Sequence, residues 1–342
     1  MKTPVGIVGF RGYSGAELVE ILLRHPNIEP VLLEHREGED AHREAEDRPR
    51  PLGGRGPRCV PFGEDVVRSE GLSAVLLATP AEASMDLAPP LLEAGAKVID
   101  LSGAFRLGTA ENYLRWYRAH HTQPGLLAQA VYGLPEFCRA GIPSARLIAN
   151  PGCYPTAANL ALRPLLEAGA VMRDVGVVCD AKSGVSGAGR KASLSTSFCE
   201  VAGNFSAYSI LEHRHVPEVL RISGLDEAEF SFTAHLIPVT RGILETIYFP
   251  ASSAIASAED LLAIYQKRYA DEPFVRLYPV GKVPDLLSVE RTNFCDLGVK
   301  FDRANRRTVI VSVIDNLVKG AAGQAVQNLN LALGFPETAG LL

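Results

Sequence analysis

Apolar residues open the chain as a short unbroken run, Val5-Gly6-Ile7-Val8-Gly9, and then recur at helical spacing, with Leu18, Ile21 and Leu22 on one side of residues 16–24. The run predicts a strand buried on both faces, and the spacing a helix lying over it. A second apolar run over 28–33 completes one strand–turn–helix–strand unit. The alternation resumes with a strand over 74–78, a helix over 81–94 and a strand over 97–101. Wholly apolar strands separated by helices predict a parallel sheet covered on both faces. Between the two halves of this pattern, residues 36–58 are polar and rich in Arg, Glu, Pro and Gly, and read as a long exposed loop.

Beyond residue 150 the texture changes. Longer strands over 175–181, 229–238, 243–249 and 308–314 have fewer helices between them. That pattern predicts a mixed or antiparallel sheet of α+β type. A helix over 257–269 starts with Ser257 as its cap and has Glu259 and Asp260 in its first turn. Residues 316–333 predict a last helix, too apolar on one side to hang free. The fold class is therefore α/β. A Rossmann-type parallel sheet spans 1–150, and an α+β domain spans 151–315.

Composition narrows the partners. The 342 residues exceed what one compact core holds, which favours two domains. A net charge of −5 without a long basic run argues against nucleic acid. No apolar stretch approaches the ~18 residues of a membrane-spanning helix. The first residues run straight into a strand, leaving no room for a signal peptide. Six cysteines (59, 138, 153, 179, 199 and 295) lack CxxC or CxH pairing, so neither a metal site nor a disulfide frame is expected, and the cytoplasm is the natural compartment.

Four groups of residues carry candidate chemistry. Gly9, Gly12 and Gly15 sit between the first strand and its helix, with Tyr13 and Ser14 among them. Glycines there let the backbone approach a pyrophosphate, which the helix N-terminus then binds. At the end of the second strand, Arg36 suits the 2′-phosphate of NADP and Glu34 the ribose hydroxyl of NAD. The residues alone leave both open.

The second group is Asn150-Pro151-Gly152-Cys153-Tyr154-Pro155-Thr156, where a turn delivers Cys153 to a helix start. The helix dipole and free N–H groups there favour a thiolate nucleophile. The same N–H groups, with the Asn150 amide, would stabilise an oxyanion. Third is Glu212-His213-Arg214-His215-Val216-Pro217-Glu218, a source of acid/base histidine. His213 and His215 alternate, so only one is expected to reach the thiol. Fourth are anion anchors: Arg106, Arg190 with Lys191, and Arg241, near a hydroxyl- and glycine-rich stretch from Ser183 to Gly189.

A dinucleotide domain joined to a nucleophilic thiol implies hydride transfer to or from a thioester carbon. A cysteine hydrolase and a non-catalytic dinucleotide-binding module are the competing classes. At this point the chain resembles the N-acetyl-gamma-glutamyl-phosphate reductases of arginine biosynthesis. The resemblance rests on segments 9–18, 100–107, 131–136, 149–157, 180–193, 213–218, 234–244 and 315–324. It implies a glyceraldehyde-phosphate-dehydrogenase-like architecture in which residues 316–342 return to the first domain. It also implies NADP(H) as cofactor, an acyl-phosphate substrate, and a homodimer or homotetramer.

On the same resemblance, Cys153 is the nucleophile and His215 the acid/base, with His213 lining the substrate pocket. Arg106, Ser183, Arg190 and Arg241 contact substrate, and Asn316 contacts the cofactor. The related aminoadipyl-phosphate reductases of lysine synthesis are the alternative. Tyr154-Pro155 favours the arginine enzyme. The chain departs from the resemblance at Gly103-Ala104, where relatives more often carry Ala-Asp.

Overall fold

The computed structural model describes residues 2–35, 56–63 and 65–342. Most of the polar 36–58 stretch, Arg36 included, lies outside the described residues. Its end does not: Arg58–Pro61 is a strand.

In the first half, strands β1 (Thr3–Val8), β2 (Ile28–Glu34), β3 (Arg58–Pro61), β4 (Ala74–Leu77), β5 (Lys97–Asp100), β6 (Val131–Tyr132) and β7 (Leu147–Ala149) form a parallel sheet. Its order among the described residues is β3-β2-β1-β4-β5-β7-β6. The order reverses between β1 and β4, the place where open parallel sheets bind ligands. Helices α1 (Tyr13–Arg24), α2 (Ala81–Glu93) and α3 (Ala110–Tyr117) follow β1, β4 and β5. The central strands are apolar throughout because α1 and α2 cover opposite faces, so Ile7, Leu76 and Ile99 pack with α1 while Val75, Leu77 and Val98 pack with α2.

Helix α4 (Cys153–Glu167) leaves the end of β7 and packs on a second sheet. Its strands are β8 (Val177–Gly184), β9 (Ser206–Tyr208), β10 (Phe230–Ile237), β11 (Ile243–Pro250), β12 (Val275–Leu277), β13 (Cys295–Asp302) and β14 (Arg307–Ile314). They run β12-β13-β14-β11-β8-β10-β9 among the described residues, with β8/β10 and β12/β13 parallel and the other pairs antiparallel. Helices α5 (Val216–Ser223) and α6 (Ala258–Arg268) flank α4. Ser257 and Asp260 form a reciprocal capping box at the start of α6.

The chain then returns to the first sheet. A five-residue π-turn at Val318–Ala322 leads into α7 (Gly323–Leu333). Val318, Ala322, Ala325, Val326 and Leu329 pack with Leu18, Ile21 and Leu22 of α1. Sequence patterning predicts one continuous helix over 316–333. The structure opens its first turn where Gly320 meets the Cys153 backbone and where Lys319 turns inward to a wholly buried pair with Glu136, at 2.7 Å. Lys319 Nζ also donates to Gln327, at 2.8 Å.

Candidate active site

A cleft of about 540 Å³ opens at the C-terminal end of the first sheet and is closed on its far side by the second half of the chain. Residues 9–14 form one wall. Gly9 has φ +79°, and a Cβ on it would stand 2.3 Å from the Ala78 carbonyl oxygen. A Cβ on Gly15 would stand 2.2 Å from the Gly9 oxygen. Only glycine fits either position. Gly12 is the N-cap of α1, and neither a capping side chain nor an acidic residue occupies the first turn. The helix end therefore presents bare N–H groups to the cleft, with Tyr13 and Ser14 beside them. This cradle fits a dinucleotide pyrophosphate. Glu34, at the end of β2, accepts from Arg11 Nε at 2.9 Å, so the acid of this region sits in an ion pair.

The facing wall is built around Cys153. Gly152 caps α4 in extended conformation, and the thiol is on the first helical residue. A Cβ on Gly152 would meet His215 Nε2 at 2.7 Å and Arg106 Nη1 at 3.0 Å. On the other side, a Cβ on Gly320 would stand 2.7 Å from Cys153 Cβ. Bare backbone thus admits the imidazole on one side of the turn and the π-turn on the other.

The fully buried Glu218 fixes this arrangement. It accepts from the Gly152 N–H at 3.0 Å, the Tyr132 hydroxyl at 3.0 Å and Arg106 Nη1 at 3.2 Å. Its Oε1 also lies 4.0 Å from His215 Nε2. His215 lines the cleft, and its Nδ1 has no partner among the described residues.

Burial governs the charges here. It pushes the Cys153 thiol up to about 11, against the opposing pull of the Tyr154 N–H and of Arg106. It holds His215 well below the usual histidine range, helped by His213, Arg106 and Arg214. Both shifts favour the uncharged forms, thiol and imidazole. The first-turn dipole, worth about 0.3–1 kcal/mol, opposes this burial at a half-buried thiol that lines the cleft.

Comparison with known proteins agrees in both halves. A family model described as "Semialdehyde dehydrogenase, NAD binding domain" matches residues 4–145, and one described as "Semialdehyde dehydrogenase, dimerisation domain" matches 153–316. N-acetyl-gamma-glutamyl-phosphate reductase of Symbiobacterium thermophilum is 46% identical, covering 100% of this chain and 98% of its own length. That of Pelotomaculum thermopropionicum is 46% identical, over 100% and 98%. The chain belongs to the N-acetyl-gamma-glutamyl-phosphate reductase family. The fold is shared more widely. Aspartate semialdehyde dehydrogenase II from Vibrio cholerae superposes with a TM-score of 0.72 at 21% identity, over 98% of this chain and 99% of that one.

Not every residue singled out in this reductase-family sequence reaches the cleft. Gly9, Gly12, Tyr13, Ser14, Arg106, Cys153, Arg190, His215 and Asn316 line it. Gly15 supports the turn from behind.

Asn150 is corrected as an oxyanion donor. It follows the last residue of β7 and is fully buried, donating to the Ala321 oxygen at 3.1 Å and accepting from Asn328 at 3.0 Å. Its side chain pins α7, and the cleft is left to the backbone. Arg241 is corrected as a substrate anchor. Its guanidinium bonds Glu17 of α1 and, at 3.2 Å, Asp315, so it ties the second sheet to the dinucleotide helix. Ser183 lies buried behind the 186–189 turn, and its hydroxyl donates to the Gly184 oxygen at 3.0 Å.

His213 is corrected as a pocket-lining residue. It lies behind His215, accepts the His215 N–H at 3.2 Å and packs edge-on against Tyr154 and Tyr208. Burial and Arg214 bring it down to about 4. Arg190 lines the cleft but donates to the Arg11 oxygen at 2.8 Å, which places it over the glycine turn. Asn316 holds Gly242 N–H at 2.7 Å and Ser186 Oγ at 2.9 Å. Sequence reasoning missed Glu218, although it stands three residues after His215 in the same run.

Proposed function

We infer that this chain reduces N-acetyl-L-glutamyl 5-phosphate to N-acetyl-L-glutamate 5-semialdehyde and phosphate with NADPH, in arginine biosynthesis. The observation that carries the reading is Cys153 on the first turn of α4, inside the cleft formed by the glycine turn and with His215 against the preceding residue. We further place the enzyme in the cytoplasm as a homodimer or homotetramer. A dimerisation-domain match over 153–316 supports the assembly, and six unpaired cysteines suit a reducing compartment.

Residues 9–15, with Arg190 above them and Asn316 beside them, would hold the dinucleotide, which when bound supplies the hydride that takes the acyl group to the aldehyde level. The chain's own groups do the rest. As Cys153 Sγ attacks the acyl carbon, its proton passes to His215, burial favouring the uncharged form of each. The new oxyanion lies at the start of α4. There Pro155 has no N–H, Thr156 N–H is bonded to the Gly152 oxygen and Gly152 N–H to Glu218, so Cys153 and Tyr154 N–H are the donors that serve it. The acyl carbon–oxygen bond breaks and phosphate departs toward residues 186–191, taking a proton from solvent. After reduction, protonated His215 faces the alkoxide on the Cys153-bound carbon. Carbon–sulfur cleavage then frees the aldehyde, and His215 returns the proton to sulfur.

The test is the reverse reaction with NADP⁺, phosphate and either N-acetylglutamate semialdehyde or its one-carbon-longer homologue. Preferential oxidation of the former is expected. Preference for the longer aldehyde would move the chain to the lysine-pathway reaction, and tight NADP binding with no turnover of either would reduce it to a binding module.

A further inference from the structure

The acyl phosphate proposed above carries two anionic ends, a phosphate and an α-carboxylate. The arginines first offered for them are largely committed to the protein. Arg106 donates to the Asn150 oxygen at 2.8 Å, the Leu101 oxygen at 2.7 Å and Glu218 at 3.2 Å. Arg241 is held by Glu17 and Asp315. Arg190 reaches the glycine turn.

Two other cleft residues have unspent hydrogen-bonding capacity. Arg214 is exposed, lines the cleft between the two histidines, and has no side-chain partner among the described residues. Tyr117, the last residue of α3, also lines the cleft. Its hydroxyl is buried and has no partner among the described residues. A buried hydroxyl without a partner costs about 1–3 kcal/mol, so its position calls for a ligand group or an ordered water to complete it.

The local structure holds that hydroxyl firmly. The Tyr117 ring stacks flat on Tyr113 with centroids 4.6 Å apart. Tyr113 is itself fixed edge-on by His121, which bonds the Ala104 oxygen at 2.9 Å. Across from it, Gly103 leaves the space the hydroxyl occupies: a Cβ there would stand 2.0 Å from the oxygen. Arg214 is close enough for its charge to act on the Tyr117 phenol.

We propose that Arg214 and the Tyr117 hydroxyl form the subsite for the substrate's α-carboxylate, with Gly103 as the residue that makes room for it. This rests on the reaction assigned above. The guanidinium supplies the opposite charge and the phenol a directional O–H donor, a pairing that selects a carboxylate over an uncharged ester. The phosphate end is left to the 186–191 loop, which lines the same cleft and includes Lys191.

The reverse reaction tests this, because its three ligands can be varied separately. The probe pair is N-acetylglutamate semialdehyde and its α-methyl ester, which keeps the aldehyde and the acetamido arm. Arg214→Met and Tyr117→Phe should each lower kcat/KM on the acid by about 10- to 100-fold, chiefly through KM, and change the ester by less than about threefold. KM for phosphate and for NADP⁺ should stay at the wild-type value. Gly103→Ala should displace the hydroxyl and reproduce the Tyr117→Phe loss on the acid while sparing the ester.

Equal losses on acid and ester would overturn the proposal, as would a rise in the phosphate or NADP⁺ KM instead. Wild-type enzyme that ignores the acetylated aldehyde altogether would refute the assigned reaction rather than the subsite.

Discussion

The wall of the cleft formed by residues 9–14 is made of backbone, whereas the facing wall around Cys153 is made of side chains that bond one another. In the first, Gly9, and Gly15 behind it, are required by contacts of 2.3 and 2.2 Å that any Cβ would make. In the second, a single carboxylate, Glu218, ties together Gly152, Tyr132 and Arg106 beside the thiol. Backbone chemistry depends on conformation alone. Side-chain chemistry depends on burial, and here burial opposes the charge state that the local sequence favours.

Four experiments would break or sharpen that contrast. Cys153→Ser should lower reduction by ~10³-fold or more, because a hydroxyl lacks the nucleophilicity of sulfur, while leaving NADPH affinity intact. Turnover near wild type would remove the thiol from the mechanism. Glu218→Gln keeps the shape but leaves Arg106 and Gly152 without their anion, and kcat should fall by about 100-fold. A melting curve should also show a destabilisation of up to ~3–5 kcal/mol, the usual cost of breaking a buried ion pair. An active, stable variant would mean that the carboxylate is not what organises this wall.

On the backbone side, Gly15→Ala should weaken NADPH binding by about 5- to 100-fold, the equivalent of ~1–3 kcal/mol of overpacking, with little change in the alkylation of Cys153. The smallest effect per step is the pH response. The thiolate fraction grows with pH below the thiol's pKa, so inactivation of the unliganded enzyme by iodoacetamide should rise about tenfold per unit from pH 7 to 10. Levelling off near pH 7 would show that sulfur is already ionised at rest.

The same contrast sets what could be read from the sequence. The glycine turn, the parallel alternation and Cys153 were legible because each is a local demand: a positive φ, an apolar run, a helix start. Strand β13 was missed because Asp296 and Gly298 interrupt its apolar run. Asp296 is held by Arg276, and Gly298 makes room for Val283 and Pro284. Arg241 and Asn150 were plausible ligands by residue type, yet each spends its polar atoms on another part of the protein, and Ser183 spends its hydroxyl on the neighbouring carbonyl. The sequence names a donor but not its acceptor when the two are 74 or 171 residues apart, as in Arg241–Asp315 and Asn150–Ala321. Glu218 was illegible for the same reason, its partners standing 66 to 112 residues away.

The return of α7 to α1 bears on how such a gene can be recombined. The apolar stripe of Leu18, Ile21 and Leu22 is covered by residues encoded some three hundred positions later, so the nucleotide-binding half is not a cassette that can be exchanged at a single crossover near residue 150. A viable chimera between two relatives needs both crossovers, before α4 and again before the π-turn, or it will inherit a mismatched seam beneath its dinucleotide helix.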